Sequence, residues 1–378
     1  MSDIVFALTG DVRRNSRALK QLRSLATLGV TIDVYTLGAP AATETMEENI
    51  RLHFLPRASG SGPGFFARNH RTFREATRSA QARVYHASDL YNLPAMRATA
   101  RQHGGKLVYD ARELYPYVAS TAGRPTVRQF WRVVEGYYIR RADAVFTVSE
   151  SIADQHVAMY GIPRSTVLYN APPFDSVTPS TALRDLTGVS DDTVVLLHQG
   201  QIQKDRGCLL LTDAMRDMRG AVLIFLGGGP LKPALEAHVE KTGLNDRVRF
   251  LDPVPPDDLL PVTASADVGI TLLEDTCLNH RFALPNKLFE YLMAGLPVLA
   301  SDLPEIRKVV KGFDVGAVVN PTDREALVKR MQDMADDKQA RQRWQANAPR
   351  VFETFNWESA SQRFIRIYQD LLSSSVHP

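Results

Sequence analysis

Short apolar runs alternate with helical segments from one end of the chain to the other, and this alternation restricts the fold more than any other feature. Ile4–Leu8 reads as a strand, residues 16–28 as a helix and residues 31–36 as a second strand. Further apolar strands are expected at 84–86, 107–109 and 144–148, with helical segments between them. Parallel neighbours need a long crossover, which a helix supplies, so strands alternating with helices imply a parallel, doubly wound sheet. At residues 171–192 the pattern dissolves into Pro, Ser, Thr and Asp and reads as a linker. A second series follows at 194–197, 222–226, 248–251, 268–272, 298–300 and 317–319, and residues 357–372 read as an amphipathic terminal helix. With 378 residues there is chain enough to bury two cores.

Several function classes drop out on composition. A hydrophobic share of 44% and a charged share of 23% are globular values. No apolar stretch approaches the roughly 20 residues that span a bilayer. The start, MSDIVFALTGDVRR, places charge directly after a short apolar run, which suits a first strand and not a signal peptide. Cys208 and Cys277 lack metal-ligand spacing and read as reduced cytosolic thiols. The net charge of +3 hides an asymmetry: residues 1–178 hold 22 Lys/Arg against 15 Asp/Glu, and the remainder holds 23 against 27. A half at +7 beside a half at −4 points to an anionic partner for the first. Residues 65–83 add Phe65, Phe66 and Phe73 among Arg68, Arg71, Arg74, Arg78 and Arg83, a composition able to lie on anionic lipid or to form a solvated helix face.

The segment from Leu284 to Glu305, LPNKLFEYLMAGLPVLASDLPE, carries most of the functional information. Pro285 suits the first turn of a helix, where its missing N–H costs nothing. The unpaired N–H groups of that turn favour an anion. Leu288, Tyr291 and Leu292 follow at helical spacing, Gly295 ends the helix, and 298–300 is a buried strand. Glu290 either faces solvent or, if buried in this apolar turn, accepts hydrogen bonds.

PNKLFEY followed by AGLPVLASDLPE resembles the nucleotide-sugar-binding element of glycosyltransferase family 4, the group 1 glycosyltransferases of GT-B fold. That resemblance implies two doubly wound, Rossmann-like domains facing a cleft. Residues 1–178 would bind the acceptor and residues 190–355 the nucleotide sugar, with 356–378 packing back on the N-terminal domain. It implies that Glu290 holds the nucleotide ribose and that the helix start, with Asn286, Lys287 and Leu288, meets the sugar and diphosphate. In His198–Gly207, family members carry an Arg after the first glycine and a Lys before the second. Here Gln201 and Arg206 occupy those places, and Lys204 is a further basic residue. Arg206 can grip a phosphate bidentately and stays charged; Gly200 would lie beside the donor. Phe282 stands where many relatives carry a sugar-contacting Glu, and His280 is nearby. The glycine turn at 225–230 and the turn at 252–255 would flank the nucleotide. It lacks GxGxxG spacing, so a tight strand-to-helix turn also explains it.

In the first half, Gly10 follows a strand and would let backbone N–H groups approach a ligand. Arg13, Arg14, Arg17, Lys20 and Arg23 are too dense for ordinary surface pairing. Asp110-Ala111-Arg112-Glu113 resembles a family pattern that has His in place of Arg112. Arg14, Asp89, Arg112 and Glu113 are the expected acceptor contacts, with helix N-caps the competing reading for Asp89 and Glu113. The expectation is a metal-independent hexosyltransferase, with Arg206 and Lys287 stabilising the leaving diphosphate. Its donor is a nucleoside diphosphate sugar, and retention is implied. The acceptor is a hydroxyl on a lipid-linked saccharide, in cell-surface polysaccharide or glycoconjugate synthesis at the cytoplasmic face of a membrane. No separate cofactor and no nucleic acid are expected. A sugar-nucleotide epimerase of the same fold and a non-catalytic glycan-binding or assembly subunit are the alternatives.

Overall fold

The computed structural model describes residues 2–38, 43–56, 62–172, 177 and 180–374. The chain folds into two compact units, one from residues 1–169 with 358–378 and one from residues 170–357.

The first unit is built on an eight-stranded sheet of order β3-β4-β2-β1-β5-β6-β7-β8. Its strands are β1 (Ile4–Leu8), β2 (Ile32–Leu37), β3 (Thr43–Glu47), β4 (Ile50–Leu55), β5 (Val84–Ala87), β6 (Lys106–Ala111), β7 (Ala144–Thr147) and β8 (Thr166–Val167). All pairings are parallel except β3 on β4. Every residue of β1 and β5 is buried, as a strand covered by helices on both faces must be. The crossover helices are α1 (Ser16–Ala26), α2 (Gly62–Thr77), α3 (Leu93–His103), α4 (Pro125–Ile139) and α5 (Glu150–Tyr160). The β3–β4 pair was not anticipated. β3 reads TETME and is largely exposed, so this edge strand has no apolar face to signal it, and its charge discourages edge pairing.

The last helix, α16 (Trp357–Ser373), packs in this first unit. Phe364 and Tyr368 are fully buried against Phe146, and the Tyr368 hydroxyl lies 2.5 Å from His86 Nδ1. Arg83 Nη1 donates to Leu372 O at 3.2 Å. Residues 375–378 of the expected 356–378 segment lie outside the described residues.

The second unit carries a six-stranded parallel sheet of order β11-β10-β9-β12-β13-β14. The strands are β9 (Val194–Gln199), β10 (Ala221–Leu226), β11 (Val248–Leu251), β12 (Val268–Thr271), β13 (Val298–Ser301) and β14 (Gly316–Val319). Its helices are α6 (Ala182–Thr187), α7 (Cys208–Ala214), α8 (Lys232–Thr242), α9 (Pro256–Thr263), α10 (Leu278–Arg281), α11 (Asn286–Met293), α12 (Pro304–Gly312), α13 (Arg324–Asp336), α14 (Lys338–Asn347) and α15 (Pro349–Thr354). The chain order reverses between β9 and β12, and in doubly wound sheets the crevice outside the carboxyl ends of such a pair receives ligands.

The linker expected at 171–192 needs correction. Residues 173–176 and 178–179 lie outside the described residues, but α6 is a capped helix of the second unit. Leu183 is fully buried and its N–H donates to Ser265 Oγ at 3.0 Å. One buried leucine and a left-handed Gly188 suffice to order a short helix within a polar composition.

Candidate functional site

Three segments meet at the carboxyl ends of β9 and β12 in the second unit: the loop after β9, the loop after β12, and the start of α11. Gly200 opens the first with φ +99°. Its N–H donates to Leu226 O at 2.8 Å, and Ile202 N–H donates to Gly228 O at 2.9 Å, so the loop continues the β9–β10 pairing past the strand ends. The glycine turn 225–230 exists for that contact. A Cβ on Gly227 would lie 2.1 Å from Gly200 O, which no side chain tolerates.

The start of α11 faces this loop. Pro285 precedes the helix and no side chain caps it. The N–H groups of Asn286 and Lys287 find no partner among the described residues, whereas Leu288 N–H donates to Pro285 O at 3.1 Å. Leu288 is therefore corrected as an expected donor contact: its N–H is spent and its side chain is fully buried.

Lys287 is half-buried, and its Nζ lies 3.7 Å from where a Cβ on Gly200 would stand. Burial, and then the nearby Arg206 guanidinium, depress its pKa to about 8, with Cys208 and Glu290 pulling the other way. Two cations that raise each other's energy therefore lie close together, one of them, Lys287, against the Gly200 backbone. Like charges are held together at a cost, and a bound anion repays it. Arg206 sits between Asp205 and Gly207, both with positive φ, in a turn braced by Glu274. Glu274 N–H donates to Asp205 O at 3.1 Å, and Gly207 N–H donates to Glu274 Oε1 at 3.3 Å. Lys204 and Gln201 are exposed on the same loop.

Glu290 is half-buried and accepts from Gln199 Nε2 at 2.5 Å. The Glu290 carboxylate only accepts, so the Gln199 amide presents Nε2 to it and Oε1 to Thr263 Oγ1, 2.7 Å away. Gln199 N–H donates to Tyr291 Oη at 2.8 Å, and Tyr291 packs flat on Gly269 of β12. Gln199 and Thr263 were not anticipated from the sequence; a glutamine ending a buried strand gives a weak signal only. His198 is also buried. Desolvation, then Lys287, drive its pKa well below the ordinary value, so it is neutral, with Nε2 3.8 Å from Cys208 Sγ.

In the first unit two of the expected residues, Asp89 and Arg112, are engaged within the fold. Asp89 is buried, and its carboxylate accepts from Thr9 N–H (2.9 Å), Thr9 Oγ1 (3.0 Å), Tyr91 N–H (2.9 Å) and Asn92 N–H (3.1 Å), with Arg112 Nη2 at 3.6 Å. Four hydrogen bonds fill the acceptor sites of the carboxylate and Arg112 balances its charge, so the expected acceptor contact is corrected to a turn-closing carboxylate. Burial opposes the charge of Arg112, but Tyr115, Asp89 and Asp110 together raise its pKa. Glu113 and Arg14 are exposed, and Gly10 has φ +123° with its carbonyl accepting from Thr36 Oγ1.

The basic run after β1 is mostly paired, against expectation. Arg17 is buried and forks onto Asp110, Nε to Oδ2 at 2.8 Å and Nη2 to Oδ1 at 2.7 Å. Arg13 pairs with Asp11 at 2.9 Å and Arg23 with Glu47 at 3.8 Å. In α2, Phe73 is fully buried and Phe66 stacks on Tyr91 at 4.5 Å, so these two aromatics of the 65–83 segment serve the core. The exposed aromatic and basic face lies instead on α4. Phe130, Val133 and Tyr137 are 58%, 59% and 50% exposed, among exposed Arg132, Arg140 and Arg141, while the single acid of the helix, Glu135, is buried. Among the described residues no helix is long and apolar enough to cross a membrane.

Comparison with known proteins agrees with this geometry. Residues 180–351 match the family Glycosyl transferases group 1, and residues 15–172 match the Glycosyl transferase 4-like domain. The D-inositol 3-phosphate glycosyltransferase of Corynebacterium diphtheriae is 24% identical, over 92% of this chain and 87% of its own length. That of Geodermatophilus obscurus is 29% identical, over 62% of this chain and 54% of its own length. Among solved structures, sucrose-phosphate synthase from Thermosynechococcus elongatus superposes with a TM-score of 0.82 at 18% identity, covering 99% of this chain and 100% of that one. Anabaena Alr3699/HepE in complex with UDP-glucose superposes with a TM-score of 0.75 at 18% identity, covering 99% of this chain and 100% of that one. With two matching α/β units of GT-B type and both family domains in sequence order, this chain belongs to the group 1 glycosyltransferases of family 4 and is a glycosyltransferase.

Proposed function

We propose that the protein transfers a hexose-type sugar, with retention and without a metal, from a nucleoside diphosphate sugar to a hydroxyl. One observation carries the donor side: Lys287 stands beside the Gly200 backbone at the unpaired start of α11, close enough to Arg206 for the two charges to repel, with Glu290 one turn further along the same helix. Two cations and two free N–H groups suit a diphosphate, and a carboxylate held by Gln199 suits the vicinal hydroxyls of a ribose. The chemistry of this arrangement is electrostatic. As the anomeric bond breaks, charge grows on the leaving phosphate oxygens, and groups already in place stabilise it without reorganising.

UDP-sugars are the favoured donors, because the similar Anabaena structure is a complex with UDP-glucose. A titration of UDP-, GDP- and ADP-sugars against the purified protein tests this. Saturable binding of one class, with sugar transferred in EDTA, is the expected result. Activity lost in EDTA and restored by magnesium would contradict the metal-free reading.

The acceptor is assigned as a lipid-linked saccharide at the cytoplasmic face of a membrane, in the assembly of cell-surface glycans. The supporting observation is the exposed face of α4, where apolar side chains stand among arginines. Each basic residue near an anionic surface contributes about 1 kcal/mol, fading within about 8 Å at physiological salt. The protein should pellet with phosphatidylglycerol liposomes at low salt and release as salt rises. Replacing Phe130, Val133 and Tyr137 by Ser should abolish pelleting, while Arg68→Gln with Arg71→Gln on α2 should weaken it only slightly. A wild-type protein that ignores such liposomes favours a small soluble acceptor, of the kind named for the inositol phosphate relatives.

A further inference from the structure

His280 stands in α10, six positions before Asn286 and ten before Glu290, and its ring is held in one orientation. Nδ1 lies 3.2 Å from Glu274 O and 3.0 Å from Thr276 Oγ1. A carbonyl oxygen only accepts, so Nδ1 carries the proton and Nε2 presents a lone pair. Nε2 has no hydrogen-bond partner among the described residues and is not sealed from solvent. The same Glu274 that orients the ring also braces the turn on both sides of Arg206, through Asp205 O and Gly207 N–H. The ring and the guanidinium are therefore set by one residue. Ala283 N–H closes onto His280 O at 3.2 Å, so the short segment from the histidine to α11 is likewise ordered.

We infer that His280 Nε2 accepts a hydrogen bond from a hydroxyl of the donor sugar and so sets which sugar is used. This deepens the proposed donor site and rests on it. The position suits a sugar better than a phosphate. A neutral imidazole with an outward lone pair repels a phosphate oxygen, and burial followed by the charge of Arg206 lowers the pKa of His280, keeping it neutral. Two residues further on, Phe282 offers no acceptor; His280 supplies one within the same turn. A buried or half-buried acceptor left unpaired discriminates strongly against a sugar whose hydroxyl points elsewhere.

The test compares His280→Leu and His280→Gln with wild type, using UDP, UDP-glucose and UDP-galactose as probes. These two sugars differ only in the direction of one hydroxyl. His280→Leu should bind UDP within twofold of wild type, lose roughly 30-fold in kcat/KM with the preferred sugar, and lose most of the preference between the two. His280→Gln, which offers a carbonyl near the place of Nε2, should recover part of both. In acid, wild type should lose sugar discrimination as Nε2 becomes protonated, and His280→Gln should not. An unchanged preference in His280→Leu, or a parallel loss of UDP affinity, overturns the inference; the second result makes the residue a phosphate contact. Wild type that binds no nucleoside diphosphate fails the donor-site reading itself, which is a separate outcome.

Discussion

Replacing Glu290 by Gln isolates one interaction with little change of shape. In the folded protein Glu290 Oε2 accepts from Gln199 Nε2 at 2.5 Å, and Gln199 Oε1 lies 2.7 Å from a Thr263 hydroxyl that is also 2.7 Å from Leu259 O. A glutamine at 290 pairs amide to amide with Gln199, in either of two orientations because the Thr263 hydroxyl can donate to Gln199 or accept from it. In both orientations the outward atom changes from an anionic acceptor to a neutral group. Hydrogen bonds to a charged group contribute about 1.5–3 kcal/mol each, against about 1 for a neutral pair. With two ribose hydroxyls served, the loss is about 3 kcal/mol, close to a hundredfold in affinity. Calorimetric titration with UDP should show that loss. The same titration with 2′,3′-dideoxy-UDP should show wild type and variant alike, since there is no hydroxyl to hold. A folded Glu290→Gln protein with wild-type affinity for UDP would refute the assignment. A hundredfold loss that persists with the dideoxy nucleotide would mean that the substitution disturbs the site by another route.

Arg206→Ala should lower kcat more than it weakens ground-state donor binding, because charge on the leaving diphosphate is greatest in the transition state; a rise in KM alone would reduce Arg206 to a binding contact. Lys287 loses its proton near pH 8, so UDP affinity should fall as pH rises through 8, and binding above that pH should take up a proton, detectable as a buffer-dependent heat. The sign for stability is opposite. With the folded pKa depressed below the unfolded one, the unfolded chain binds more protons between about 8 and 10.4, stability rises with pH there, and Lys287→Met should stabilise the neutral protein by about 2 kcal/mol in thermal or denaturant unfolding. Arg17→Met should destabilise by about 3–5 kcal/mol, since Asp110 keeps its charge at 0% exposure with only Gln21 left to donate a side-chain bond; an unchanged denaturation midpoint would show that the pair contributes nothing.

Buried parallel strands announce themselves locally. Ile4–Leu8 and Ala221–Leu226 are continuous apolar runs because helices cover both faces of the sheet, and this holds whatever the rest of the chain does. Strands with an open face carry no such mark. Thr43–Glu47 is polar along its whole length and takes strand geometry only because Ile50–Leu55 offers it an edge. Helix α6 was hidden in the same way, by a polar composition whose one buried leucine finds its place only in the folded unit. Phe66 and Phe73 show the reverse error. Aromatics among arginines on one helix look like a membrane face, yet their side is decided by Tyr91, Trp131 and the core beneath them.

The sequence by itself determined the α/β class, the two sheets and the helix start at Asn286, because those depend on residue spacing within one element. It also determined that a cation and a carboxylate, Lys287 and Glu290, lie on one helix, three residues apart. Only the tertiary structure decided what those groups meet. Gln199 holds Glu290 across 91 residues of chain, Glu274 orients His280 and braces Arg206, and Asp110 takes up Arg17 from 93 residues away. No local pattern encodes such pairs. They arise where crossover connections bring strand ends together, and the charge of a side chain acquires its role from whichever partner burial leaves beside it.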